Sequence, residues 1–208
     1  MLTAALLGFA LGIRHAADPD HLAAVAAMVA RHRSPAAAAR IGAAWGLGHS
    51  LMIFAVGGMM VALHINAAPS WARAAEGVVA VVLIALGVAN LRSLAAGAPP
   101  RPGHSHHLGH ASALRSLAVG LAHGLAGSAA VALLALAAMP TPRTALLYLA
   151  VFGLGTIGAM VALSAGLGLP AALAGGRPAL TRWVVAGSGA LSIGVGIYLA
   201  VSVGVASV

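Results

Sequence analysis

The sequence predicts an all-α integral membrane protein with six transmembrane helices, arranged as two inverted three-helix repeats. Hydrophobic residues make up 61% of the 208 residues and charged residues only 7%, which is far from the composition of a water-soluble domain. Six apolar runs are each long enough, at about 20 residues or more, to cross a bilayer as a helix. The two halves of the chain also repeat short residue patterns.

The predicted spans are separated by polar, proline-rich or glycine-rich segments. They lie near residues 2–30, 37–63, 72–94, 115–139, 143–168 and 182–204. The longest separator follows the third span and contains many histidines. The chain therefore divides into a first three-helix repeat at 1–95, a loop at 96–113 and a second three-helix repeat at 114–208.

Two matches between the halves support an internal repeat. Gly12-Ile13-Arg14-His15 aligns with Gly120-Leu121-Ala122-His123, and Trp45-Gly46-Leu47-Gly48-His49 aligns with Phe152-Gly153-Leu154-Gly155-Thr156. Because each half has an odd number of spans, the two halves must be inverted relative to each other. Inverted repeats with a binding site at their interface are typical of transporters.

The arginines predict the orientation of the spans. All eleven basic residues other than histidine are arginines, and the formal net charge is +8. The loops after spans 1, 3 and 5, with the adjoining span ends, hold eight arginines, and those on the opposite side hold two. Since positive charge accumulates on the cytoplasmic side, both termini are expected outside and the loop at 96–113 inside. The basic charge is then a topology signal and does not indicate nucleic-acid binding.

Two of the three acidic residues of the chain, Asp18 and Asp20, lie between His15 and His21 within the first apolar run. Charged side chains at the centre of a bilayer cost about 3 kcal/mol or more each, so this cluster indicates a functional site. On a regular helix, His15, Asp18 and His21 would share one face. Pro19 should break the helix, which would free backbone carbonyls and could turn Asp20 inward.

Histidines elsewhere in the spans could complete a metal site. His49 follows Gly46-Leu47-Gly48 near the middle of the second span, and His123 is the repeat partner of His15. Imidazole and carboxylate ligands in a chain without cysteine suit a divalent ion such as Ni²⁺, Co²⁺ or Zn²⁺. The predicted ligands are His15, Asp18, Asp20, His21 and His49, and His123 is a further candidate.

The loop between the repeats is a second candidate for metal chelation. Four of its histidines fall within seven residues: His104, His106, His107 and His110. Short histidine-rich tracts bind divalent metals. In the predicted orientation this tract lies in the cytoplasm.

These features favour a secondary transporter of a divalent metal ion. The sequence has no phosphate-binding Gly-x4-Gly-Lys-Ser/Thr motif, so a gradient, the membrane potential or intracellular trapping must drive transport. The negative potential inside the cell favours uptake of a dication, with efflux as the alternative. An intramembrane metal-dependent hydrolase is the other class considered, but the sequence lacks the His-Glu-x-x-His motif.

Two motifs resemble those of the nickel/cobalt transporter (NiCoT/NicO) superfamily. The segment from His15 to His21 is similar to the family's His-x4-Asp-His signature, and Gly46-Leu47-Gly48-His49-Ser50 resembles its second motif. The resemblance implies a nickel or cobalt permease, with His15, Asp20 and His21 as signature metal residues and His49 as their partner.

The length of the chain resembles the compact branch of this superfamily, which occurs among urease-associated nickel permeases. Larger members have about eight spans and an acidic, threonine-rich motif in a later span, and this chain lacks that motif. The expected protein lies in the cytoplasmic (inner) membrane, contacts lipid and carries Ni²⁺ or Co²⁺ as cargo. It is expected to have no cofactor and no enzymatic activity, with a cytoplasmic metallochaperone as a candidate partner.

Overall fold

The computed structural model is all-helical where it describes the chain. It describes residues 1–32, 34–65, 69–96, 110–124, 136, 138–174 and 177–205. Within these ranges there are seven helices: α1 (Leu2–Ala16), α2 (Pro19–Val29), α3 (Pro35–Leu63), α4 (Pro69–Ala95), α5 (His110–Gly124), α6 (Pro142–Leu173) and α7 (Pro178–Val205).

Four of these helices are long and apolar enough to cross a membrane. They cover Pro35–Leu63, Ser70–Ala95, Pro142–Leu173 and Pro178–Val205, and α1 is a shorter apolar helix. Large apolar side chains point away from the protein, as at Leu154 and Trp183. Such surfaces are stable against lipid tails but not in water, so the chain is a multi-pass membrane protein.

The first predicted span is two helices rather than one. The helix breaks at Ala17 and Asp18, where Asp18 takes an extended conformation with φ −61° and ψ 143°. Pro19 causes this break, because its ring disfavours the helical conformation of the preceding residue and it has no N–H to donate. Pro19 then begins α2, a position where a missing N–H costs nothing. The predicted interruption is therefore confirmed.

The fourth predicted span, 115–139, is described only in part. Helix α5 begins before it, at His110, and ends at Gly124. Residues 125–135 lie outside the described ranges, so the count of six spans stays a prediction.

Helices α3 and α6 pack closely along their length and form the centre of the molecule. Helix α1 lies against α6, α5 lies against α3, and α4 pairs with α7. Helix α2 turns away from α1 and reaches the pair formed by α4 and α7. The break between α1 and α2 therefore lies between the central helices and this outer pair.

Glycines permit the closest helix contacts. A Cβ atom on Gly12 would collide with the carbonyl oxygen of Phe152, and one on Gly120 would collide with the carbonyl oxygen of Trp45. Small residues allow such backbone approach in membrane bundles. The contact at Gly120 brings α5 against α3 beside His49, whose backbone N would lie 3.0 Å from the same Cβ.

Candidate metal site

The break in the first span brings four histidines from four helices together. His15 lies in the last turn of α1, His21 in the first turn of α2, His49 in the middle of α3 and His123 at the end of α5. His15 is 6% exposed, and the other three are fully buried. A cluster of buried imidazoles is costly to maintain unless its nitrogens have partners.

Three of the histidines form a compact triangle. The ring centroids of His15 and His21 are 4.5 Å apart, those of His21 and His49 are 4.8 Å apart, and those of His15 and His49 are 5.0 Å apart. One ligand atom from each of the three falls within 4.8 Å of the other two. Asp18, Asp20 and His21 form a second group with the same property. His21 belongs to both groups and joins them.

The carboxylates of Asp18 and Asp20 each accept a hydrogen bond from the Nδ1 atom of a histidine. Nδ1 of His15 is 3.0 Å from Oδ2 of Asp18, and Nδ1 of His21 is 2.9 Å from Oδ1 of Asp20. Because a carboxylate only accepts, each Nδ1 carries the proton and the Nε2 atom of the same ring is left with its lone pair. Carboxylates in this position orient histidine ligands and increase their basicity in metal sites.

The Nε2 atoms of His15 and His49 face each other at 2.9 Å. Since Nε2 of His15 has the lone pair, neutral His49 must donate its Nε2 proton there. Two nitrogens that bind one ion at about 2.1 Å lie about 3.0–3.4 Å apart, which is close to the observed spacing. If the His49 proton moves to Nδ1, both Nε2 atoms can bind the same ion.

The site contains most of the buried polar side-chain atoms that have no hydrogen-bond partner among the described residues. Four of the six are Nε2 of His21, Nδ1 of His49, Nε2 of His123 and Nε1 of Trp45. Nδ1 of His123 donates to the carbonyl oxygen of Val119 at 3.1 Å, so its Nε2 also has a free lone pair. Buried nitrogens without partners in the protein are typical of side chains that bind a ligand.

Asp18 and Asp20 differ in their surroundings. The side chain of Asp18 is 35% exposed, whereas Asp20 is 7% exposed as a residue. Asp20 points inward because the break at Asp18 gives α2 a different direction from α1, as the sequence predicts. Asp18 therefore lies at the edge of the site, and Asp20 lies inside it.

Among the remaining predicted ligands, His123 has a described side chain, and it lies beside the central group without joining it. The ring of His123 lies 5.9 Å from that of His21, and His123 is not part of either group of converging ligand atoms. His104, His106 and His107 lie outside the described residues. His110 begins α5, and its backbone is described.

Two aromatic residues that the sequence analysis did not select complete the walls of the site. Trp45 stacks on His49 with ring centroids 5.0 Å apart and an 8° interplanar angle, and the Phe152 ring lies 5.3 Å from that of His15. Trp45 precedes His49 by one helical turn, so its spacing could have indicated a shared face. Phe152 lies in the other half of the chain, and the sequence signal for it is its alignment with Trp45 in the internal repeat.

Comparison with known proteins supports a transport function. Residues 1–96 match the model of the NicO family, described as high-affinity nickel-transport protein. This segment contains both motifs and five of the predicted ligands, and the match confirms the resemblance predicted from them. The matched family is one of transport proteins rather than enzymes, with nickel as the substrate that is carried rather than a bound cofactor.

Relatives extend the similarity over the second half. Urease accessory protein UreH of Bacillus sp. (strain TB-90) is 29% identical over 217 residues, which cover 99% of this chain and 93% of that protein. The chloroplast proteins FOR GROWTH AND FERTILITY 1 and 2 of Arabidopsis thaliana are also 29% identical, over 223 residues each. Those alignments cover 97% of this chain but only 60% and 57% of the two plant proteins. No solved structure matches the chain.

Proposed function

We propose that this protein is a secondary transporter that carries Ni²⁺, with Co²⁺ as a second cargo, into the cell across the cytoplasmic membrane. The observation that carries the proposal is the convergence of the His15, His21 and His49 rings at the break of the first span. Neutral imidazoles held by carboxylates suit borderline divalent ions, and no thiolate is present to select a softer metal.

In the proposed site, Nε2 of His15, His21 and His49 would bind the ion directly. Asp20 would hold His21 from inside the site, and Asp18 would hold His15 at its edge. His123 would stand beside the first three ligands, with its free Nε2 available as the ion moves. A discontinuous helix supplies ion ligands in this way in other transporters, because the break frees polar groups at membrane depth.

The packing supports six spans in two inverted repeats. The contact of α1 with α6 corresponds to the contact of α5 with α3, and Gly12 and Gly120 make equivalent backbone approaches in these two pairs. Helices α3 and α6 also begin alike. Ser34 and Thr141 each accept a hydrogen bond from a backbone N–H of the first turn, and each is followed by proline.

The direction follows from the charge of the cargo. An inside-negative potential favours entry of a dication by roughly 4–5 kcal/mol per 100 mV, twice the value for a single charge. The arginine asymmetry favours an orientation with both termini outside and the histidine-rich loop in the cytoplasm. That loop would trap arriving ions and pass them to a cytoplasmic metallochaperone.

Uptake of ⁶³Ni²⁺ by cells that express the chain tests this proposal. We expect time-dependent accumulation that falls at least tenfold in His15→Ala and His21→Ala variants with unchanged membrane insertion. His64→Asn is the matched control, since His64 is exposed at the end of α3 and its left-handed backbone tolerates asparagine. Near-normal uptake by both site variants would reject the site, and reduced nickel content on expression of the unaltered chain would reject uptake in favour of efflux.

A further inference from the structure

A cavity of about 530 Å³, with both polar and apolar side chains on its wall, lies between α2, α3, α4 and α5. Its polar side chains come from the residues just after α2, the end of α4 and the start of α5, and they include Arg31, His32, Asn90, Ser93, Arg115 and Ser116. In the proposed orientation this end of the bundle faces the cytoplasm.

The cavity and the histidine cluster are separated by one helical turn. On α3, Ile41 lines the cavity and Trp45 touches the cluster, and on α5, Val119 lines the cavity and precedes His123. Four residues of helix rise about 6 Å. Val25 stands at the same spacing from His21 on α2 and is fully buried. A single layer therefore divides the two spaces.

The side chains in this layer are packed together and apolar. Val25, Ile41 and Trp45 belong to one buried hydrophobic cluster, and Val119 packs against it. We call Val25, Ile41, Trp45 and Val119 the apolar layer. Such a layer blocks a hydrated dication, because water and charge are both excluded from it.

Trp45 is the member of the layer whose side chain contacts three of the four histidines. Its ring centroid lies 5.0 Å from His21, 5.0 Å from His49 and 5.5 Å from His123. The indole is fully buried, and its Nε1 donor has no hydrogen-bond partner among the described residues. An indole stacked on His49 fixes the plane of that ring while it covers the cavity-facing side of the site.

We propose that Trp45, with the apolar layer around it, is the gate between the metal site and the cavity lined by Arg31 and Arg115, and that this cavity is the cytoplasmic vestibule of the transport path. This inference rests on the proposed transport function. The three carboxylates of the chain are Asp18, Asp20 and Glu76, and none of them lines the cavity. A vestibule with arginines and no carboxylate holds a dication weakly, which favours release.

Cysteine labelling tests the gate without reference to flux, since the native chain has no cysteine. His123→Cys reports access to the site side of the layer, and Ser93→Cys reports access to the cavity. A hydrophilic methanethiosulfonate reagent is added to inside-out membrane vesicles, which expose the cytoplasmic face. We expect Ser93→Cys to react rapidly and His123→Cys to react at least tenfold more slowly.

Adding Trp45→Ala to His123→Cys should remove most of that tenfold difference, whereas Trp45→Phe should preserve it because a flat ring still fills the layer. If Trp45→Ala fails to insert, Ile41→Ala decides in its place. The gate is rejected if His123→Cys reacts as fast as Ser93→Cys while Trp45 is present, or if removing the ring leaves its rate unchanged.

Nickel flux in vesicles that carry the unsubstituted chain separates this inference from the proposed function, because His123 is itself a proposed contact of the ion. If the labelling pattern is as expected but nickel does not cross the membrane, the barrier at Trp45 is supported and nickel is rejected as the cargo. If nickel crosses the membrane but the labelling pattern is not observed, nickel is supported as the cargo and the gate is rejected.

A preparation with Trp71→Phe and Trp183→Phe leaves Trp45 as the only tryptophan, and Ni²⁺ at the site should quench its emission.

Discussion

At the scale of residues, the chemistry of the site depends on which imidazole nitrogen carries a proton. Asp18, Asp20 and the Val119 carbonyl each accept from an Nδ1 atom, so the Nε2 atoms of three histidines keep their lone pairs. His49 differs, because Nε2 faces His15 and Nδ1 has no partner among the described residues. It is the one histidine of the four that must change tautomer to bind an ion through Nε2.

We expect His49→Ala to weaken Ni²⁺ binding more than tenfold, or about 1.4 kcal/mol. His123→Ala should do less, because its ring lies 5.9 Å from that of His21 and outside the converging group. Calorimetric titration of the purified protein with Ni²⁺ measures both effects, with His64→Asn as the control. Unchanged affinity in the His49 variant would remove that residue from the site.

At the scale of elements, a broken helix and close glycine contacts position the ligands. The break separates His15 and His21 into two helices, and glycine lets α5 approach the backbone of α3 beside His49. Each feature depends on a few neighbouring residues in the sequence, but it determines how two helices contact each other. Substitutions at these positions should therefore alter the site without removing a ligand.

Replacement of Pro19 by alanine should lower nickel transport at least tenfold while the protein still inserts normally. Alanine permits α1 and α2 to join, which would turn Asp20 away from the cluster. Pro170→Ala is a suitable control, since Pro170 lies inside α6 on an exposed surface far along the helix from Phe152. Transport that is equal in the two variants would show that the break is not required.

Gly120→Ala should destabilise the protein, because its Cβ would collide with the Trp45 carbonyl oxygen. Overpacking of this kind costs about 1–3 kcal/mol. Gly158→Ala is the matched control, since no atom of a neighbouring element in the described part of the chain lies within 4 Å of a Cβ there. Thermal unfolding in detergent, followed by the helical signal, should show a lower midpoint only for the Gly120 variant. Equal midpoints would contradict the close approach of α5 and α3.

At the scale of the whole molecule, the arginine distribution and the paired helix contacts both fit the proposed arrangement of two inverted repeats. The cavity lined by Arg31 and Arg115 lies at the end of the bundle where the arginines accumulate. The histidine cluster lies one layer deeper, at the break of the first span. A path from the cluster to this cavity then runs toward the proposed cytoplasmic side.

We expect a cysteine placed at residue 107 to be protected from an impermeant thiol reagent in intact cells and labelled after permeabilisation. The eight-to-two arginine asymmetry predicts a cytoplasmic position for this residue. A cysteine at residue 3, near the start of α1, should be labelled in intact cells. Labelling of residue 107 in intact cells would reverse the proposed topology.

The sequence by itself determined the features that depend on neighbouring residues. Apolar runs predicted the long helices, Pro19 predicted the break, and the spacing from His15 to His21 predicted a compact cluster, because helix rise and proline geometry act over a few residues. The sequence also predicted His49 as a ligand, but only the tertiary structure decided how distant groups meet. The 2.9 Å approach of His15 and His49, which lie 34 residues apart, the stacking of Trp45 and the position of Phe152 depend on how closely helices pack. That packing depends on backbone contacts at glycines in both halves of the chain. No local sequence pattern identifies the residues that these glycines contact.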